Sequence, residues 1–212
     1  MSSPVSPPAG SAAEKLLDAA TVVFSRTGIG SATTREIAKE AGVNEVTLFR
    51  NFQNKQGLLS AVLERAFLPS AEQRALPGKT VGTGATLEEV LMEFAAADFE
   101  RKQRNIALMR VLLGEVHCLG DQETEVLRRI FKPWKEELAA RLREAQQLGL
   151  MREEANPVII VDQLVAMLFM GALKAETMKC PEYDAPTYLK SCVETILFAI
   201  QTPKAARRRK KP

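Results

Sequence analysis

Gly42 lies between two short apolar patterns, each opened by a residue suited to cap a helix. The stretch from 33 to 55 reads TTREIAKEAGVNEVTLFRNFQNK. Thr33 can accept the amide of the third helical residue while Glu36 reaches back, the reciprocal arrangement of a capping box. Ile37, Ala38 and Ala41 form the inner face of that short helix. Gly42 sits where the chain must turn sharply, and glycine tolerates positive φ there. Val43 closes the core behind the turn. Asn44 caps a second helix, whose Leu48 and Phe52 point inward. Ala38 is small, which lets the two helices cross closely. Two short helices, a tight glycine turn and apolar residues at the crossing make a helix-turn-helix.

The rest of the chain is helical in pattern. Leu16, Leu17, Ala20, Val23 and Phe24 follow the spacing of one helical face, and Gly28 and Gly30 end that helix. Leu58, Leu59, Val62, Leu63 and Ala66 repeat the pattern. Further helices are predicted over Leu87–Phe99, Ile106–Val116, Val126–Leu148, Val158–Met178 and Tyr188–Ile200. Asn156 suits the N-cap and Pro157 the first turn of the fourth of these. Pro181 and Pro186 are expected to interrupt before the last. Strand-type alternation is absent, and the fold class is all-α: a helix-turn-helix head and a helical C-terminal body.

Composition sets the outer segments. Residues 1–11 are rich in Ser, Pro and Ala, and residues 203–212 are basic with two alanines as their apolar content, so both ends are expected to be disordered. Pro77, Gly78, Gly82 and Gly84 mark a further break. The expected division is an arm (1–11), a head (12–68), a body (69–202) and a tail (203–212). The opening residues carry neither a basic start nor an apolar stretch, and no uninterrupted apolar run approaches the ~18 residues of a spanning helix. A cytoplasmic protein without a membrane segment is expected. Three cysteines, Cys118, Cys180 and Cys192, lie far apart and fit reduced thiols. His117 is the single histidine, which argues against a zinc site and a catalytic triad. No metal, cofactor or catalytic residue is expected. Gly78-Lys79-Thr80 imitates the end of a P-loop, but Gln73 stands where the first glycine belongs.

Charge is distributed unevenly. The net charge is +3, with six of the 29 basic residues in the tail after Pro203. Residues 1–68 carry seven basic and six acidic groups; residues 69–203 carry 16 basic and 20 acidic. The ends are therefore better candidates for phosphate than the middle. The tail reads either as a solvated end or as added, salt-sensitive phosphate affinity. In the head, the second helix of the pair leaves Glu45, Val46, Thr47, Phe49, Arg50 and Asn51 more or less outward. If it enters a major groove, Arg50 suits guanine or phosphate, Thr47 a thymine methyl or phosphate, and Glu45 cytosine N4. Asn54 and Lys55 open the next helix, whose free amides and ammonium suit a backbone phosphate. Geometry alone leaves open a plain all-α crossing without nucleic-acid function.

Residues 12–67 resemble the DNA-binding head of the TetR family of transcriptional regulators. The matching pieces are AAEKLLDAATVVFSRTG, TTREIAKEAGV, NEVTLFRNFQNK and GLLSAVLERAF. The resemblance implies that Thr33, Thr34 and Arg35 meet the DNA backbone. It implies that Asn44, Glu45, Val46 and Thr47 read bases, that Phe49, Arg50 and Asn51 contact phosphates, and that Lys55 binds a phosphate. Phe49 replaces a common tyrosine, Asn51 a common histidine or tyrosine, and Val46 stands where a small residue or proline is usual. The resemblance further implies a homodimer through the helices starting near Pro157 and Tyr188, a double-stranded, roughly palindromic operator and a small-molecule effector. The helix after Pro157 is apolar almost all round, which fits either a partner or burial within one body. Phe94, Phe99, Met109, Leu112, Leu113, Trp134, Leu138, Met167 and Met170 are candidate lining for an apolar or amphipathic effector, with core packing as the competing role of each. A repressor released by ligand is the expectation. An activator of the same fold, a helical interaction module and an all-α enzyme are the alternatives, the last disfavoured by the lone histidine.

Overall fold

The computed structural model describes residues 10–68, 78–115, 119–177 and 182–202. These residues form α1 (Ala12–Thr27), α2 (Thr34–Glu40), α3 (Glu45–Phe52), α4 (Lys55–Phe67), α5 (Leu87–Arg104), α6 (Ile106–Gly114), α7 (Asp121–Gln147), α8 (Pro157–Thr177) and α9 (Ala185–Ile200). Among them, the β pairing is one isolated antiparallel bridge between Met151 and Gln201. The fold is all-α. The arm through residue 9, His117, Cys118, Cys180 and the basic tail lie outside the described residues.

The chain divides into two compact units. One gathers Met1–Leu68 with Ala107–Ile130; the other gathers Pro69–Ile106 with Phe131–Pro212. By contacts, residues 107–130 cluster with the first unit.

In the first unit, α1 packs against α2, α3 and α4, and α3 against α2 and α4. Leu16, Leu17, Ala20, Val23 and Phe24 are all buried, as are Ile37, Ala38, Leu48, Leu58, Leu59, Val62 and Leu63. Side chains of this size each contribute roughly 1.5–3 kcal/mol when fully buried, so this shared core fixes the α2–α3 crossing. Gly28 stops α1 at φ 87°, with its amide on the Phe24 carbonyl at 3.0 Å. Gly42 takes φ 66° in the α2–α3 turn.

In the second unit, α5, α8 and α9 pack on one another. Their core includes Val90, Leu91, Phe94, Leu164, Leu168, Val193 and Ile196, joined by Leu138 and Leu142 of α7. Asn156 caps α8, its Oδ1 accepting the Val158 amide at 2.9 Å. The complete capping box belongs to α5, between Thr86 and Glu89.

Several helix boundaries differ from the sequence reading, and α5 runs to Arg104, past the expected end at Phe99. Helix α9 starts at Ala185, not Tyr188, because Asp184 caps it, accepting the Thr187 amide at 2.8 Å. Pro186 then falls in the first turn, where a missing N–H costs no helical hydrogen bond. Helix α7 begins at Asp121 and continues through Pro133. Helix α8 is also long and apolar enough to cross a bilayer, since Asp162 and Gln163 do not interrupt the helix as they do the apolar run. It packs instead against α5 and α9, and Asp162 accepts a hydrogen bond from Lys135 Nζ at 2.7 Å.

Candidate nucleic-acid interface

Local capping aims the two helices of the motif. Thr33 Oγ1 accepts the Glu36 amide at 3.1 Å, and Asn44 Oδ1 accepts the Val46 amide at 2.9 Å. The reciprocal half of the expected capping box at Thr33 is not made. The Glu36 carboxylate turns instead to Arg26 at 3.2 Å, and Arg26 also meets Glu40 at 3.4 Å. These two carboxylates hold the Arg26 guanidinium above its ordinary pKa. The ion pairs are solvent-exposed and add little stability. Their consequence is electrostatic, because one guanidinium offsets half of the acidic charge of α2.

The remaining acidic group of the motif is also engaged. The Thr34 hydroxyl donates to Glu45 Oε1 at 2.6 Å, tying the first turn of α2 to the first turn of α3. Arg35, Lys39 and Arg50 are exposed, and among the described residues none makes a side-chain ion pair. Arg35 and Lys39 are four residues apart and share one face of α2. Val46 is 70% exposed and Phe49 45% exposed, and with Arg50 they share a face of α3. Thr47 is half-buried, and Asn51 Nδ2 donates to the Thr47 carbonyl at 2.7 Å. The surface thus joins uncommitted cations to exposed apolar groups, the combination that reads phosphates and thymine methyls.

Lys55 sits differently from its neighbours. Its ammonium donates to the carbonyls of Ile29 at 2.9 Å, Gly30 at 3.2 Å and Ala32 at 3.0 Å. An ammonium has three protons, so all three are directed at the loop between α1 and α2. Glu115 Oε2 accepts the Gly30 amide of that loop at 2.8 Å. At the start of α4, Asn54 Oδ1 accepts the Gly57 amide at 2.7 Å. Arg26, Lys39 and Glu115 did not figure in the sequence reading. The Arg35–Lys39 spacing was a visible signal for Lys39; the partners of Arg26 and Glu115 are set by tertiary packing.

The candidate ligand-lining residues fall in both units. Met109, Leu112 and Leu113 belong to the first; Phe94, Phe99, Trp134, Leu138, Met167 and Met170 belong to the second. Phe94, Phe99, Leu112 and Leu138 are buried, whereas Leu113 and Met170 are exposed. Trp134 and Met167 are partly buried against the core of the second unit. A surface depression in that unit is lined by none of them, but by Gln146, Gly149, Met151, Arg152 and their neighbours.

Comparison with known proteins agrees with this geometry. Residues 16–62 match the family described as bacterial regulatory proteins, tetR family. The chain is 48% identical over 52 residues to the HTH-type transcriptional regulator YvkB of Bacillus subtilis, whose own function is uncharacterized. That match covers 24% of this chain and 28% of YvkB. The HTH-type transcriptional repressor DhaR of Mycobacterium sp. (strain GP1) is 24% identical over 160 residues, 76% of this chain and 79% of DhaR. Among solved structures, SmeT in complex with triclosan superposes with a TM-score of 0.63 at 22% identity, covering 92% of this chain and 93% of that one. The head thus matches the tetR family of bacterial regulatory proteins over residues 16–62, and the chain as a whole shares the all-α fold of the solved structures it resembles.

Proposed function

We propose that the chain acts as a homodimer that docks α2 and α3 of each head on an operator half-site and represses transcription until a small molecule binds the body. The carrying observation is the pairing pattern of the head. Glu36 and Glu40 share the Arg26 guanidinium and Glu45 accepts from Thr34, while Arg35, Lys39 and Arg50 make no side-chain ion pair among the described residues. On this reading Arg35 and Arg50 meet DNA directly, with Thr33 and Asn51 as hydrogen-bonding neighbours. Val46, Thr47 and Phe49 supply apolar contact to bases and sugars. Asn44, Thr34 and Glu45 set the pose of α3.

Dimerisation is supported by the outer faces of α8 and α9. Ile159 and Met170 on α8 are about half exposed, and Phe198 on α9 is 88% exposed. A second copy covering this surface removes large apolar side chains from water. Two heads one DNA turn apart, ~34–36 Å, then read a palindrome. The repressor role is supported by the likeness to DhaR, and the ligand by the fold shared with a protein crystallised with triclosan. A ligand releases the operator only if it binds one dimer conformation more tightly than the other. A protein acting this way works in the cytoplasm, where its DNA is.

The test is Arg50→Ala in equilibrium binding to an operator duplex. The expected loss is about 1–3 kcal/mol, or roughly 5–150-fold, with helicity and mass in solution unchanged. Undiminished affinity in the variant would refute the assignment of α3 as the reading helix.

A further inference from the structure

We propose that the second unit holds an anion subsite, formed by Arg101, Lys102 and the indole N–H of Trp134, that takes the carboxylate of a monoanionic effector with an aromatic or aliphatic body. The proposal deepens the ligand-responsive reading above and rests on it for the effector's role, though not for the site itself.

The observation begins on the buried stripe of α5. Leu91, Phe94 and Ala95 lie on it, and the next members at helical spacing are Asp98 and Lys102. Asp98 is 0% exposed and Lys102 4% exposed. The Asp98 carboxylate faces two cations: Oδ1 meets Arg101 and Oδ2 meets Lys102. Burial pushes the Lys102 ammonium below its ordinary pKa, while Asp98 holds it up. Lys135, whose charge also acts on Lys102, is balanced by Asp162 at 2.7 Å. One carboxylate against two cations leaves a single positive charge uncompensated where water is scarce. Buried charges are stable when paired and hydrogen-bonded.

A second observation stands beside it. The indole Nε1 of Trp134 is shielded from solvent and has no hydrogen-bond partner. Buried donors are almost always satisfied, so an orphan calls for an explanation. The Arg101 guanidinium lies 4.7 Å from the centroid of that same indole ring and 5.8 Å from the Phe131 ring. Phe94 stacks on the other partner of this group, with its centroid 5.0 Å from that of Trp134. One bound carboxylate accounts for both features: it brings the missing negative charge and acceptor oxygens for guanidinium and indole protons. A monoanion balances the excess, whereas a dianion overshoots it. The aromatic side chains beside the charged group suit an apolar ligand body.

Trp134 is the single tryptophan of the chain, so its emission reports on the site without DNA. The probes are decanoate, 2-naphthoate, decanol and decyltrimethylammonium, each below its micellar concentration. Decanoate or 2-naphthoate is expected to change Trp134 emission saturably, with at least tenfold tighter binding than decanol or the ammonium. Arg101→Met and Lys102→Met each leave one cation on Asp98 and are expected to weaken carboxylate binding at least tenfold more than decanol binding, each measured against the variant's own unliganded emission, with helicity retained. Equal affinity for decanol and decanoate, no saturable response to either carboxylate, or wild-type carboxylate affinity in both variants would overturn the proposal. Operator binding is followed separately by anisotropy. A carboxylate that saturates Trp134 but leaves the operator bound refutes ligand release while the subsite stands.

Discussion

Replacing Lys55 by Met separates two roles that one ammonium cannot fill at once. In the structure its three protons go to the carbonyls of Ile29, Gly30 and Ala32, across the loop that sets α2 against α1. A hydrogen bond from a charged donor contributes about 1.5–3 kcal/mol. The Gly30 bond is exposed, so water replaces it at little cost; the bonds to Ile29 and Ala32 are part-buried. Discounting for partial exposure, the substitution is expected to cost about 2–4 kcal/mol. For a chain of this size that lowers the melting midpoint by roughly 5–15 °C. Calorimetry of Lys55→Met measures it directly. Lys55→Arg should destabilise too, because a planar guanidinium does not converge on three carbonyls as an ammonium does. If Lys55 serves instead as a phosphate contact, Lys55→Met leaves stability within about 0.5 kcal/mol of wild type. The salt dependence of operator binding would then lose about 0.9 in slope per lysine. An unchanged midpoint with a reduced slope would refute the loop-clamp argument.

The buried charges of α5 predict an asymmetry. Asp98→Ala leaves Arg101 and Lys102 without their shared carboxylate and is expected to cost about 3–5 kcal/mol, whereas Lys102→Met leaves a balanced pair and is expected to be neutral or stabilising; equal losses in denaturant unfolding would refute this. Tyr188 donates to the Met167 carbonyl at 2.8 Å, and burial, with Cys192 beside it, raises its pKa from 10.0 to about 12. A phenol raised in this way contributes stability that is fully present below pH 10 and is lost as pH rises through about 12; phenolate absorbance should show that late step, and Tyr188→Phe should remove it. A late step that persists in Tyr188→Phe contradicts the assignment. Phe198→Glu places a charge on the exposed face of α9 and should reduce the mass in solution from twice 23.3 kDa to a single chain. A dimer unaffected by that change places the interface elsewhere.

Much of the fold could be read because its signals are local. The stripe Leu16, Leu17, Ala20, Val23, Phe24 is buried as its spacing implies, and Thr33, Asn44 and Asn156 cap helices as their side chains allow. What escaped has non-local causes. Glu36 leaves its expected capping role because Arg26, ten residues earlier, is brought beside it by the α1–α2 packing. Lys55 meets carbonyls more than twenty residues away in the chain, which no window around residue 55 contains. The start of α9 was readable in principle: Asp184 before Pro186 is a capping residue followed by a first-turn proline. The Asp98–Lys102 pair was readable too, as charged residues on an apolar stripe. An i, i+4 pair of opposite charge nevertheless ordinarily marks a solvated face, so its burial is settled by tertiary packing. The candidate ligand-lining residues share an apolar type, and type does not say which unit a side chain joins.

Fluorescence anisotropy with duplex DNA from the region upstream of the protein's own gene, against a scrambled duplex across a salt series, tests the central claim most directly. A dimer that reads DNA through α3 should bind the upstream duplex tightly near physiological salt and at least 10³-fold, in order of magnitude, more tightly than the scrambled one. Equal binding to both, vanishing together as salt rises, would reduce the interaction to non-specific electrostatics and contradict the account.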